Sequence, residues 1–274
     1  MTQTAPAATS AAVPVAVCQF APTAHREDNR DRIAAMAAEA AGRGARLIVF
    51  PEYSSYFVNP MDETLATNAE ALDGDFVSTL TALAADHGVV IVAGLVERAS
   101  EANRVRNTLV AVRGDGILAV YRKQHLYDAF GQTESDWIEA GELGAATFEV
   151  AGIRFGLMTC YDLRFPEVAR TLVDDGADAL VVPAEWVRGP LKEHHWTTLL
   201  AARAIENTTY VIAADHPAPI GVGHSQIIDP AGVVIAGVGL DEGLAIASVE
   251  RSAVDRVRET NPSLRVRRYA VVPR

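Results

Sequence analysis

Short apolar runs alternate with helical segments along most of this chain, and this alternation constrains the fold more than any other feature. Residues 13–20 form a β-branched run, residues 28–42 place apolar side chains at helical spacing, and residues 45–50 are almost continuously apolar. The pattern continues with a helical segment over 75–87 and an apolar run over 89–96. A strand whose residues are nearly all apolar is buried on both faces of its sheet. Such strands, separated by helices, predict an α/β fold.

Tight-turn signals interrupt the alternation at residues 114–116, 151–152 and 229–232, each between two short apolar runs. Hairpins inside an α/β chain predict sheets that mix parallel and antiparallel strands. No linker, low-complexity block or internal repeat divides the sequence. We therefore expect a flexible tail over residues 1–12, followed by a single domain over residues 13–274.

The charge balance and the cysteine content exclude several classes of protein. The chain has 24 basic and 35 acidic residues, for a formal net charge of −11. Nucleic acids and anionic membranes bind positive surfaces, so neither is expected as a partner. There is no apolar run long enough to span a bilayer and no secretory signal. Two cysteines are too few to stabilise a fold of this length by disulfide bonds, which favours a cytoplasmic location. Cys18 lies inside an apolar run, so we expect its side chain to be part of the core.

Lysine is rare in this sequence. Only Lys123 and Lys192 occur, against 22 arginines. A compact ammonium and a planar guanidinium are not interchangeable, so a lysine in this background indicates a position where arginine would not serve. The alternative is that either lysine is there by chance.

Three reactive side chains follow the ends of separate apolar runs. Glu52 follows the run at 45–50, Lys123 ends the run at 117–123, and Cys160 follows the run at 153–159. Ligands of α/β folds bind beyond the carboxyl ends of strands. A thiol nucleophile, a carboxylate that moves its proton and an ammonium that stabilises an oxyanion would together perform acyl transfer. Taken singly, each has a structural alternative, such as a buried small thiol, a loop cap or a solvated strand end.

Three motifs resemble the carbon–nitrogen hydrolase (nitrilase) superfamily. They are LMTCYDLRFPE at 157–167, IVFPEY at 48–53 and YRKQHLYD at 121–128, in the order that the superfamily has them. The resemblance extends from Val13 to Tyr269 and includes ARAIEN at 202–207.

The resemblance implies roles for individual residues. Cys160 matches the nucleophile, Glu52 the general base and Lys123 the third catalytic residue. Glu134 matches a second glutamate that orients the substrate and the lysine, and the backbone N–H of Tyr161 matches the oxyanion partner of the lysine. It also implies a four-layer αββα sandwich with two mixed β-sheets, assembled as a homodimer or a higher homo-oligomer, without a metal or an organic cofactor.

The sequence around Cys160 looks most like the amidases that act on deaminated glutathione and the related ω-amidases of 2-oxo-acid amides. True nitrilases usually have Cys-Trp-Glu where this chain has Cys160-Tyr161-Asp162. The chain departs from that amidase branch in a shorter segment between Lys123 and Glu134, and in an acidic residue and Trp at 185–186. Both regions are expected to border the pocket, so the identity of the substrate stays open.

The predicted function is a thiol-dependent amidase that hydrolyses the linear, non-peptide amide of a small carboxylic acid with water. The alternatives are an N-carbamoyl-acid hydrolase or a nitrilase of the same superfamily, and a non-catalytic α/β binding module. Arg164 lies four positions after the predicted nucleophile, where a guanidinium binds a substrate carboxylate bidentately. The alternative for Arg164 is a structural ion pair with Glu167 or Asp162.

Overall fold

The apolar runs of the sequence form the strands of two sheets. A computed structural model describes residues 12–101 and 103–274, so the predicted flexible tail lies outside the described residues except for Ala12. The strands are β1 (Val13–Gln19), β2 (Leu47–Val49), β3 (Val90–Arg98), β4 (Val105–Arg113), β5 (Gly116–Arg122), β6 (Thr147–Val150), β7 (Ile153–Leu157), β8 (Ala179–Pro183), β9 (Tyr210–Ala214), β10 (Gln226–Ile228), β11 (Val234–Gly237) and β12 (Gly243–Val249). The helices are α1 (Arg26–Gly42), α2 (Thr64–Asn68), α3 (Asp75–His87), α4 (Pro166–Asp174), α5 (Lys192–Asn207) and α6 (Arg251–Thr260).

The two sheets are built alike. The first has the order β12-β1-β2-β3-β4-β5 and the second the order β11-β10-β9-β8-β7-β6. In the first sheet β1, β2 and β3 are parallel, and in the second β7, β8 and β9 are parallel. The flanking strands pair antiparallel through the predicted hairpins. The prediction of mixed sheets is confirmed.

Side chains alternate between two environments along the central strands. In β1, Val15 and Val17 join the apolar cluster between the sheets, together with Phe155 and Val181 of the second sheet. Cys18 points the other way, into a cluster formed with α1 and α3, and it is fully buried, so its prediction as core is confirmed. Helices α4 and α5 cover the outer face of the second sheet. The four-layer αββα sandwich implied by the resemblance is confirmed.

The ends of three strands set the positions of the predicted reactive residues. Strand β2 ends three residues before Glu52, β5 ends at the residue before Lys123, and β7 ends three residues before Cys160. Because β5 is antiparallel to β4, which is antiparallel to β3, strands β2 and β5 run in the same direction. Glu52 and Lys123 therefore leave the first sheet at the same edge. No helix in the described part of the chain is both long and apolar enough to cross a membrane.

Candidate active site

Cys160 begins a short 3₁₀ helix, Cys160–Arg164, which starts three residues after the last residue of β7. Its backbone φ is +46°, in the left-handed region that side chains other than glycine rarely adopt. Such strain persists only where the surrounding structure enforces it, and it is concentrated at functional sites. Its Sγ lies 3.3 Å from the backbone oxygen of Glu185, which follows β8.

Asp162 fixes the turn that carries Cys160. Its fully buried carboxylate accepts hydrogen bonds from the hydroxyl of Tyr121 at 2.7 Å and from the backbone N–H of Thr159 at 3.1 Å. It also accepts one from the backbone N–H of His125 at 3.2 Å. Tyr121 and His125 lie on either side of Lys123 in the sequence. One carboxylate therefore joins the segment that carries Lys123 to the segment that carries Cys160.

Lys123 lies between two buried carboxylates. Its Nζ is 2.9 Å from Oε1 of Glu52 and 2.9 Å from Oε2 of Glu134. The side chains of all three residues are at most 3% exposed. Asn107 donates from Nδ2 to Oε1 of Glu52 at 2.6 Å, and the backbone N–H of Glu185 donates to Oε2 of Glu52 at 2.6 Å. The Glu52 carboxylate is thus held by three donors at fixed positions.

Glu134 has its own set of donors. The Tyr53 hydroxyl donates to its Oε1 at 2.6 Å, and the backbone N–H of Tyr127 donates to its Oε2 at 2.6 Å. These bonds and the Lys123 contact hold both oxygens, so Glu134 is suited to orienting the ammonium.

The electrostatics separate the two glutamates. Burial raises the pKa of Glu52, against the opposing effect of Lys123. Burial also acts to raise the pKa of Glu134, but Lys123, the Tyr53 hydroxyl and the Tyr127 N–H outweigh it and lower that pKa. Glu134 therefore stays ionised, whereas Glu52 is the carboxylate that is closer to exchanging a proton.

The thiol is neutral in the resting site. Burial, followed by the charge of Glu52, raises the pKa of Cys160 well above its usual value, and Lys123 only partly opposes this. Burial also acts to lower the pKa of Lys123, but Glu134, Glu52 and Cys160 outweigh it, so the ammonium stays charged. A thiol of this kind needs a neighbouring base to become a nucleophile.

Gly94 in β3 lies directly behind the Glu52 turn. A Cβ on this residue would lie 2.4 Å from the backbone N of Tyr53 and 2.8 Å from Cα of Glu52. Tyr53 itself has a left-handed φ of +57°. The absence of a side chain at residue 94 is therefore a condition for the position of Glu52.

Gly94→Ala is expected to lower kcat by ~100-fold, because a displaced catalytic group loses its alignment with the reacting atoms. It is also expected to lower the free energy of unfolding by about 1–3 kcal/mol through overpacking. Steady-state kinetics and urea unfolding measure the two effects. Gly42→Ala is the matched control, since a Cβ there has no neighbouring atom within 4 Å. Equal behaviour of the two variants would contradict the role assigned to Gly94.

A cavity of about 220 Å³ brings the predicted residues together. Glu52, Lys123, Glu134 and Cys160 all line it. Its remaining wall includes apolar and aromatic side chains, among them Tyr53, Phe57, Val58, Met61, Tyr127 and Trp137. Polar groups that converge in one cavity beside apolar side chains are the usual form of a small-molecule site.

Arg164 and Tyr161 line a smaller cavity that also includes Cys160. The guanidinium carbon of Arg164 lies 4.8 Å from the ring centroid of Trp186, and its Nη2 lies 3.4 Å from Nδ1 of His195. In the described residues no ion pair joins Arg164 to Glu167 or to Asp162. The structural ion pair considered for Arg164 is therefore not formed.

Sequence reasoning missed Asn107 and Asp162 as members of the site. Asn107 is only 1% exposed, but in the sequence it lies between Arg106 and Thr108 of β4, so nothing local singled it out. Asp162 carried one local signal, the capping-box spacing with Thr159, but its other partners, His125 and Tyr121, are 37 and 41 residues away in the sequence. In the described residues, no group of three or more His, Cys, Asp or Glu side chains is placed to hold a metal ion.

The chain is similar to a known family of enzymes. The sequence profile of the carbon–nitrogen hydrolase family matches residues 14–259. The chain is 42% identical over 256 residues to the deaminated glutathione amidase of Escherichia coli O157:H7, covering 93% of this chain and 97% of that protein.

Two solved structures are similar in fold. Saccharomyces cerevisiae Nit3, a member of branch 10 of the nitrilase superfamily, has a TM-score of 0.83 at 26% identity, covering 95% of this chain and 98% of that one. A double mutant of the amidase from Nesterenkonia sp. AN1, in complex with acrylamide, has a TM-score of 0.80 at 25% identity, covering 94% of each chain. The chain belongs to the carbon–nitrogen hydrolase family within the nitrilase superfamily, and it is a hydrolase of carbon–nitrogen bonds other than peptide bonds.

Proposed function

We propose that this protein is a thiol amidase with a Glu52–Lys123–Cys160 triad, acting through a thioester on the amide of a small carboxylic acid. The observation that carries the proposal is that Cys160 shares one cavity with a carboxylate of raised pKa and a charged ammonium. The Nesterenkonia amidase that holds acrylamide has one Glu and one Cys substituted, which supports the same pair of groups here.

Acylation uses Glu52 first as a base and then as an acid. The Cys160 proton passes to Glu52 as Sγ forms a bond to the amide carbon, and the carbonyl oxygen becomes an oxyanion. Nζ of Lys123 and the backbone N–H of Tyr161 stabilise this oxyanion. When the C–N bond breaks, Glu52 gives the proton to the leaving nitrogen, so ammonia or an amine departs.

Deacylation repeats the same sequence with water. Glu52 takes a proton from a water molecule as its oxygen attacks the thioester carbon, and the oxyanion again lies against Lys123. The C–S bond breaks, the proton held by Glu52 returns to Sγ, and the carboxylic acid leaves. Glu134 keeps Lys123 in position throughout by its fixed contact at 2.9 Å.

The comparison and Arg164 both support a particular substrate class. Deaminated glutathione is an amide whose acyl part carries a 2-oxo carboxylate. An acidic protein that binds such an anion needs a local positive group, and Arg164 supplies one in the cavity beside Cys160. We therefore assign amides of this type as the substrate class. A homodimer and a cytoplasmic location stay predictions from the sequence.

Interception of the thioester tests the proposal. Hydroxylamine competes with water for an acyl-enzyme, so incubation with an amide substrate and hydroxylamine is expected to yield the hydroxamate alongside ammonia. Substrates to compare are deaminated glutathione, 2-oxo-acid ω-amides, N-carbamoyl acids and nitriles, with the amides turned over fastest.

Cys18→Ala is the control, because Cys18 is fully buried in the core away from the cavity, and it should form hydroxamate as the wild type does. Ammonia release without any hydroxamate at saturating hydroxylamine would rule out the thioester. Faster turnover of nitriles or N-carbamoyl acids than of amides would rule out the amidase assignment.

A further inference from the structure

Lys192, the second of the two lysines, lines the small cavity beside Cys160. It is the first residue of α5 and is only 6% exposed. The small cavity has a volume of about 10 Å³ and shares Tyr127, Cys160 and Glu185 with the large one. Lys192 is therefore close to the place where the acyl part of a substrate would lie.

The ammonium of Lys192 is held by aromatic groups. Its Nζ donates a hydrogen bond to the hydroxyl of Tyr127, lies 4.0 Å from the ring centroid of Phe130 and lies 4.6 Å from that of Tyr127. Across residues 12–101 and 103–274, no carboxylate oxygen lies within 4.0 Å of it. A buried ammonium normally has a counter-charge, so this one is short of an anion.

Arg164 lies beside Lys192 and is short of an anion too. Its guanidinium carbon is 5.6 Å from the Phe130 ring that also contacts Lys192. Its Nε is buried and has no hydrogen-bond partner among the described residues. The shared contact with Phe130 places the two cations side by side. Burial, and then the charge of Arg164, lowers the pKa of Lys192 against the opposing effects of Cys160 and Glu185.

Glu185 forms no ion pair with either cation. It lines the same cavity, but in the described part of the chain its carboxylate oxygens lie more than 4.0 Å from the nitrogens of Lys192 and Arg164. Burial, with Glu52 and Asp215 nearby, raises the pKa of its carboxyl well above the usual value, which disfavours the charged form. Two neighbouring cations next to the nucleophile, without an anion of the protein in contact with them, are complementary to a carboxylate from outside.

Resting on the amidase function proposed above, we propose that Lys192 is a specificity-determining residue which, beside Arg164, binds a carboxylate on the acyl part of the substrate. The substrate is then the mono-amide of a dicarboxylic acid, with its amide carbon at Cys160 and its free carboxylate at Lys192. A lysine serves here because a compact ammonium reaches the Tyr127 hydroxyl beside the Phe130 ring, where a planar guanidinium would need more width.

Binding requires the small cavity to widen. A volume of about 10 Å³ holds one water molecule and no carboxylate. Phe130 is 67% exposed, so its ring can turn into solvent without breaking the core. Lys192 then exchanges a cation–π contact for a charge-assisted hydrogen bond, which is the stronger of the two when water is excluded.

Selectivity between two matched amides tests the proposal. Glutaramate and pentanamide differ only in a terminal carboxylate that is replaced by a methyl group. The kcat/KM ratio of glutaramate to pentanamide is expected to fall on the order of 10- to 100-fold in Lys192→Met, mostly through the KM for glutaramate, because one charged hydrogen bond is lost. Lys192→Gln, which keeps a polar end, should shift the ratio in the same direction.

Arg188→Met is the matched control. Arg188 is an exposed cation four residues before Lys192 and lines neither cavity, so its loss should leave the ratio as in the wild type. An unchanged ratio in both Lys192 variants would overturn the proposal. So would an equal fall in Arg188→Met, which would assign the effect to net charge.

Direct binding separates this proposal from the amidase function. Calorimetry of glutarate against pentanoate needs no turnover, so it reads the subsite even if neither amide is hydrolysed. Weaker glutarate binding by Lys192→Met than by Arg188→Met supports the subsite. Equal glutarate binding by wild type and Lys192→Met overturns it, whatever the enzyme proves to hydrolyse.

Discussion

Replacing Cys160 by Ala is expected to lower ammonia release from an amide by ~10⁴-fold or more while the protein still folds. The acyl group has no other thiol to bond to, since Cys18 lies in the cluster beneath α1 and α3. Ala keeps the Cβ and removes a single atom from a side chain that already borders a cavity, so little packing is lost. Ammonia release and thermal unfolding measure the two outcomes, and more than 1% residual activity would contradict the assignment.

The strain at Cys160 gives that experiment a second variant. Its φ of +46° costs a residue with a Cβ about 1 kcal/mol or more and costs glycine almost nothing. Cys160→Gly should therefore be as inactive as Cys160→Ala but unfold at a higher free energy, by ~1 kcal/mol. That result would show that the backbone of the turn is held in a strained form in order to present the thiol. Lower stability of the Gly variant would contradict this.

Much of the site's location was predictable from local sequence. An apolar run marks where its own strand ends, so Glu52, Lys123 and Cys160 could each be placed just beyond a strand without knowledge of any other. Hydrophobic periodicity and turn residues were also enough to predict sheets that mix parallel and antiparallel strands. The four layers and the convergence of the three residues were predicted only by the resemblance to a known family, because local sequence does not indicate how two sheets stack.

The remainder of the site depends on contacts between distant segments. Asn107 reaches Glu52 across 55 residues of sequence, and Tyr121 reaches Asp162 across 41. For Arg164 the sequence offered two local acidic partners, yet the structure places it against Trp186 and His195 instead. Contacts of this kind depend on which loops meet above the ends of the strands. The spacing of residues in a single sequence does not predict which loops meet.

Replacing Lys123 by Met is expected to reduce both stability and activity. Lys123 is the shared cation of Glu52 and Glu134, both buried, so its loss leaves two carboxylates close together without a counter-charge. Removing one partner of a buried ion pair costs about 3–5 kcal/mol. The oxyanion also loses its charged donor, and kcat is expected to fall ~10³-fold or more. Urea unfolding and ammonia release measure the two effects.

Lys123→Arg tests whether any cation suffices. The Lys123 side chain is 2% exposed and is contacted by two carboxylates, so a larger planar guanidinium would displace Glu52 or Glu134. We expect Arg to recover part of the lost stability through its charge, but little of the activity. Near-normal turnover in Lys123→Arg would show that the ammonium's compact shape is unimportant.

The loss of stability in Lys123→Met should depend on pH with a defined sign. Burial and the neighbouring Glu134 already act to raise the pKa of Glu52, and Lys123 is the main opposing influence. Without Lys123, the pKa of Glu52 in the folded protein lies further above its pKa in the unfolded chain. At a pH between these two pKa values, folding is therefore accompanied by the uptake of a proton. The variant is then closest to the wild type in acid and loses stability as pH rises towards the folded pKa.

Adding Glu134→Gln removes the like charge and should restore part of the stability at pH 8. Destabilisation that is the same at pH 5 and pH 8, and unchanged by Glu134→Gln, would mean that Lys123 acts by packing and that its charge does not hold the two glutamates together.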